Sequence, residues 1–180
     1  FMSSTTVRAF VDDSLEASRN NSAVISQMYS EGEISASTWR VLMRQEIKRE
    51  VIRQYVLGIG GLDRMTARDW GSVGGIVADQ YRYLEGFYNE VDAGNLSGAQ
   101  IAQRAKMYSS SAREAYERAN ERVARSTGAA EERWRTTATE SCPDCLEREG
   151  QGWQPIGTFS SPGDGSTQCL TNCQCFKEYR

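Results

Sequence analysis

With 180 residues, a net charge of −3 and no histidine, the chain has room for one real core, and it lacks both the usual general base and the commonest catalytic metal ligand. The acids and bases balance over residues 1–130, sixteen of each, so the whole deficit falls in residues 131–180, with eight acids against five bases. That balance argues against a general electrostatic grip on nucleic acid, and no apolar run approaches membrane-spanning length.

The first predicted element is helical, from about Thr5 to Tyr29, with Val7, Val11, Leu15, Val24, Ile25 and Met28 as its apolar positions. The polar pair Asn20-Asn21 leaves open a division into two helices. Arg8, Asp12 and Asp13 interrupt the early apolar stretch, so it does not read as a signal peptide, and a reducing cytoplasm is the expected setting. After Glu31-Gly32-Glu33, Ser35 or Ser37 can cap a second helix in which Trp39, Met43, Ile47, Val51 and Tyr55 step by four. The same helix carries the ladder Arg40, Arg44 and Lys48, backed by Arg49 and Arg53. It is the stretch best suited to a local nucleic-acid contact, although such a row is usually a solvated helix face and Glu46 and Glu50 interrupt its surroundings.

Gly58-Ile59-Gly60-Gly61 should end this helix, because glycine takes the left-handed conformation of a C-terminal cap; no Gly-Lys-Ser/Thr follows to make a phosphate loop. Thr66-Ala67-Arg68-Asp69 resembles a capping box and opens a third helix with Val73, Val77, Tyr81, Leu84, Tyr88 and Val91, stopping near Gly94. Ser97-Gly98-Ala99-Gln100 is a second capping box. Behind it Ile101, Ala105, Tyr108, Ala112, Ala115 and Ala119 form a narrow seam for packing on the preceding helix or on another subunit. Gly128 closes this helical body, and a short strand is expected over Trp134 to Thr139.

All five cysteines and all three prolines lie between Cys142 and Cys175. The fold class that follows is mainly α: a helical body over residues 1–130 and a small cysteine-rich β module, zinc-ribbon-like, over residues 131–180. The module has few large apolar residues and needs a staple. Cys142-x2-Cys145 and Cys169-x3-Cys173-x-Cys175 supply two thiolate half-sites, with Pro143 and Asp144 favouring a turn that aims the first pair at one point. The glycines and prolines between the halves read as hairpins and turns. A structural zinc is therefore expected on Cys142, Cys145, Cys169 and one of Cys173 and Cys175. Cys173 is preferred, because three intervening residues leave room for a turn and Cys175 would begin a closing strand toward Tyr179. A disulfide framework fits poorly with an odd cysteine count, and a redox Cys-x-x-Cys lacks its βαβ surround. A closed tetrathiolate shell offers no open position for hydrolysis, and Ser109-Ser110-Ser111 has no base beside it in the sequence, so no enzyme is expected.

The run Glu140-Ser141-Cys142-Pro143-Asp144-Cys145, the segment from Trp153 to Gly157 and the ending from Cys169 to Arg180 resemble the C-terminal signature of phage head-morphogenesis proteins, the Mu F-like minor head family. The segments Gly58 to Thr66 and Ala93 to Tyr108 are similar to the helical part of such proteins. The resemblance implies a virion component, made in the host cytoplasm and placed in the phage head. There it would contact portal or capsid proteins, with possible self-association, in head assembly or genome packaging and delivery. Many members carry a histidine before the final Cys-x-Cys, where this chain has Cys169 at a spacing one residue longer. That departure favours Cys169 as a ligand and leaves Cys173 and Cys175 as alternatives for the last position. The competing reading is a nucleic-acid-binding adaptor with a structural zinc module.

Overall fold

The computed structural model describes residues 4–137 and 141–180. It is mostly helical, with a small three-stranded sheet at the C-terminal end. The helices are α1 (Ser4–Ser30), α2 (Ala36–Ile59), α3 (Ala67–Asp92), α4 (Gly98–Ser111) and α5 (Arg113–Ser126). Strand β1 (Glu131–Arg135), helix α6 (Pro143–Gly150), β2 (Gln154–Pro155) and β3 (Phe176–Tyr179) follow.

The helix starts obey the local chemistry of their caps. The Ser35 hydroxyl accepts from the Thr38 amide, and full capping boxes form at Thr66/Asp69 and Ser97/Gln100. Gly60, at φ 89°, ends α2 in the left-handed conformation. Gly58 has a different duty. A Cβ there would meet the Tyr116 carbonyl oxygen at 2.5 Å and Ala119 Cβ at 2.7 Å, so the missing side chain is what lets α2 lie close against α5.

Trp39, Met43, Ile47, Val51 and Tyr55 of α2 are all buried, as their spacing requires. The seam Ile101, Ala105, Tyr108, Ala112, Ala115 and Ala119 is buried too, inside the chain. Its partners are α1 and α2 more than the preceding α3. It also spans two helices where one was expected. Ser110 and Ser111 bond back to the carbonyls of Lys106 (3.3 Å) and Tyr108 (2.7 Å), and the Ala112 amide tightens to Ser109 at 3.2 Å, which breaks the helix at Ala112.

Two other expectations shift. Helix α1 is continuous through Asn20-Asn21, and its buried face is Val11, Leu15, Ser18, Ser22 and Ser26, whereas Val24 is exposed. The serines meet polar partners: Ser18 donates to Glu46 at 2.7 Å, Ser14 donates to Glu50 at 2.6 Å, and Ser26 accepts from the Trp39 indole at 3.2 Å. In α3 the buried positions include Ile76 and Phe87, while Tyr81 and Tyr88 are half-buried under Arg44 and Arg40, whose guanidinium carbons lie 4.2 and 4.5 Å from the ring centres. Arg40 also pairs with Glu85 at 3.2 Å, so the ladder's two arginines are committed to α3.

The sheet has the order β2-β1-β3 and is antiparallel throughout, with Trp134 opposite Lys177. The strand β1 starts earlier than expected and ends at Arg135; Ala138 and Thr139 lie outside the described residues. Buried apolar residues form two clusters, one among the helices and a second made of Trp134, Phe159, Cys145, Cys173 and Cys175.

Candidate metal centre

The first half-site rides on a helix, where a turn was expected. Cys142 is the N-cap residue of α6, Pro143 occupies its first position and Cys145 follows one turn in. Proline at the first helical position and an acid in the first turn are helix-start signals as much as turn signals, which is why the spacing alone misleads. The second half-site is a 3₁₀ turn over Leu170–Asn172 between Cys169 and Cys173, the turn the three-residue spacing leaves room for. Leu170 adopts a positive φ of 50°, the one non-glycine residue to do so among those described.

Asp144, between the first two cysteines, clamps the two halves together. Its carboxylate accepts from the Gln168 amide at 2.8 Å and from the Gln168 side chain at 3.3 Å. Arg148, one turn further along α6, lies over the Trp134 ring and donates to Ser160 at 2.9 Å. Neither role is readable from the sequence, where Asp144 looks only like a turn former.

All five cysteines are free thiols, and three of them are buried. The Sγ–Sγ separations are 3.6 Å for Cys142–Cys169, 3.6 Å for Cys145–Cys169 and 3.7 Å for Cys145–Cys173. These are far beyond a disulfide bond of about 2.05 Å. They match the edge of a tetrathiolate tetrahedron, which a metal–sulfur distance of about 2.3 Å sets at about 3.8 Å. Two triads of sulfurs lie close enough to share an ion, Cys142/Cys145/Cys169 and Cys145/Cys173/Cys175, and Cys145 belongs to both. The cluster could therefore hold a metal ion.

The electrostatics of the thiols point the same way. A hydrogen bond from the Cys175 thiol, working against burial, draws Cys173 down to about 5, and the same contact pushes Cys175 up. Burial pushes Cys145 up. Sulfurs packed this closely cannot all ionise unless a cation offsets their mutual repulsion.

A buried ion network lies next to the cysteine cluster and ties the sheet to the helices. Lys177, fully buried on β3, pairs with Glu132 of β1 at 3.0 Å and Glu121 of α5 at 2.6 Å. The other Glu132 oxygen accepts the amides of Gly157 (3.1 Å) and Phe159 (2.7 Å). Nearby, burial pushes the Glu117 carboxyl up to about 7 against the pull of Arg113 and Lys177. No helix among the described residues is long and apolar enough to cross a membrane. Comparison with protein-family models, curated proteins and solved structures finds no match to this chain.

Proposed function

We propose that this chain is a structural, interaction-class protein of a phage head, a minor head component whose C-terminal module is folded around one zinc ion. The observation that carries the metal part is the run of three sulfur–sulfur edges at 3.6 to 3.7 Å joining Cys142, Cys169, Cys145 and Cys173. Those four are the ligands in this reading, with Cys175 a buried neighbour that hydrogen-bonds to Cys173. All-thiolate, four-coordinate geometry suits zinc, and a filled shell makes its role structural.

The phage-head part is supported by the resemblance of the cysteine signature and its flanks to the Mu F-like minor head family. Portal and capsid proteins are the partners it implies, and the virion is the location. Exposed large apolar residues such as Phe10, Leu62, Trp70 and Leu146 are compatible with a chain that works in an assembly.

Metal analysis of the purified full chain should return one zinc per chain. A strong chelator should abolish the fixed environment of Trp134 and Trp153 while leaving most far-ultraviolet helical signal. Absence of bound metal from protein purified under reducing conditions defeats the zinc reading. Failure to co-purify with portal or capsid protein during particle assembly defeats the phage-head reading independently.

A further inference from the structure

Between the first half of α3 and the length of α5 runs a cleft of about 690 Å³. Its walls carry four arginines: Arg68 from α3, and Arg118, Arg122 and Arg125 from one face of α5. At helical spacing the α5 residues place a guanidinium every 4.5–6 Å or so along the axis. Two carboxylates also line the cleft, Asp79 and Glu121, leaving a surplus of two positive charges on the lining itself, four minus two. Both of those acids have a cation outside it. Asp79 pairs with Arg82, and Glu121 pairs with the buried Lys177 at 2.6 Å as well as with Arg125 at 2.9 Å.

The arginines differ in how firmly they are held. Arg122 is anchored by the buried Asp69 at 3.0 Å, which is itself fixed by Tyr55 and the Thr66 cap. Arg118 and Arg125 are each about half exposed and make intrahelical pairs with the largely covered Glu114 at 2.5 Å and Glu121 at 2.9 Å, which leaves both guanidiniums open to an anion in the cleft. Arg68 is exposed and has no ion-pair partner among the described residues. On the α3 side the cleft is open to the backbone. Gly75 lines it, and a Cβ there would meet nothing within 4 Å. Glycine is among the poorest helix formers, and here no packing inside the chain calls for it.

The geometry points to this cleft as a binding site for a chain of phosphates, with α5 presenting the guanidiniums and the bare α3 backbone allowing close approach. Arginine is the residue suited to paired hydrogen bonds with phosphate oxygens. An acidic peptide fits less well, because a peptide interface needs an apolar anchor at its centre. The large ring in the lining, Tyr55, is buried with its hydroxyl donating to Asp69 at 3.1 Å. The rival seat of positive charge is the ladder on α2, where Arg40 and Arg44 share Glu85, and Lys48 serves as its probe.

The test uses the full chain with a labelled single-stranded oligonucleotide and with inorganic polyphosphate, each titrated between about 50 and 200 mM salt. The oligonucleotide should bind with a log–log salt slope of about −2 to −3, the value for three or four phosphates neutralised on a single strand. Arg68→Ala with Arg118→Ala should weaken binding at least tenfold and reduce the slope by about 1.4, while Lys48→Ala leaves both unchanged. Binding of polyphosphate alone would identify free polyphosphate as the source of the same chemistry. No binding of either probe at the lowest salt overturns the proposal, as does an equal loss from Lys48→Ala. Polyglutamate competing as well as the oligonucleotide overturns it in favour of an acidic peptide. If the double variant loses helical signal, Arg68→Ala alone decides, through an expected slope change of about 0.7.

Discussion

The helical body and the cysteine-rich end fix their chains by different means. In the body, Trp39, Phe87, Leu84 and the residues around them supply a contiguous apolar core, with Trp39 edge-on to Phe87 at 5.2 Å between ring centres. At the C-terminal end the buried cluster is two aromatic rings and three cysteines. Removing water from apolar surface stabilises the first at roughly 25 cal/mol per Å². The second has too little such surface, and in the reading proposed above a metal ion takes its place. If one part is held by area and the other by the proposed single ion, the two parts should fail under different treatments.

The largest effect should come from the shared sulfur. Cys145→Ser removes the thiol common to both triads and should unfold residues 131–180, with loss of bound metal, because structural zinc contributes apparent binding energy of about 10–16 kcal/mol in small peptides. Cys175→Ser should keep the metal and shift stability modestly. Metal stoichiometry and tryptophan fluorescence of the two variants side by side check this, and equal metal loss in both would make Cys175 a ligand.

The next effect is at the join. Lys177→Ala leaves Glu132 buried without its cation and breaks the link to Glu121, which should cost about 3–5 kcal/mol in urea denaturation. It should loosen the module from α5 without removing the metal. A loss below about 1 kcal/mol would mean that the two parts are held together by something else.

The smallest effect is pH-dependent and sits on the body's side of that join. The Glu117 carboxyl, raised by burial from 4.5 to about 7, binds a proton in the folded chain over a range where the unfolded chain has released it. Its contribution to stability is therefore greatest below about 4.5, falls as pH rises toward 7 and is level above that. Glu117→Gln should match the parent near pH 5 and exceed it near pH 8 by up to about 3 kcal/mol. Denaturation of both proteins at the two pH values measures the difference, and a constant offset would contradict the sign.

How much of this was legible in the sequence varies by element. Helix α2 was open to reading because its core face is all large and apolar at steps of four. The buried face of α1 was hidden, since Ser18, Ser22 and Ser26 are residue types that periodicity scores as polar, yet they meet carboxylate, hydroxyl and indole partners. In α3 the row through Val77 and Tyr88 competed with the true face through Ile76 and Phe87, and arginine stacking half-covers the losing row. The cysteine spacing signalled convergence of the sulfurs, and the structure brings all five into two overlapping triads. It could not signal that α6 would carry the first pair. Nor could it show Lys177 buried, because nothing in a lone lysine after Cys175-Phe176 distinguishes it from a surface residue.

The hydroxyl face of α1 has a calorimetric consequence. Exposing apolar surface raises heat capacity and exposing polar surface lowers it. A 27-residue helix whose fully buried positions beyond Leu15 are three serines, with Ile25 and Tyr29 only partly buried, therefore adds less to the heat-capacity change of unfolding, residue for residue, than α2 with its six large apolar side chains in line. Detachment of α1 is accordingly an event of weak thermal curvature. Its free energy varies more nearly linearly with temperature than that of the core it covers, and cooling weakens its hold less than it weakens the packing around Trp39.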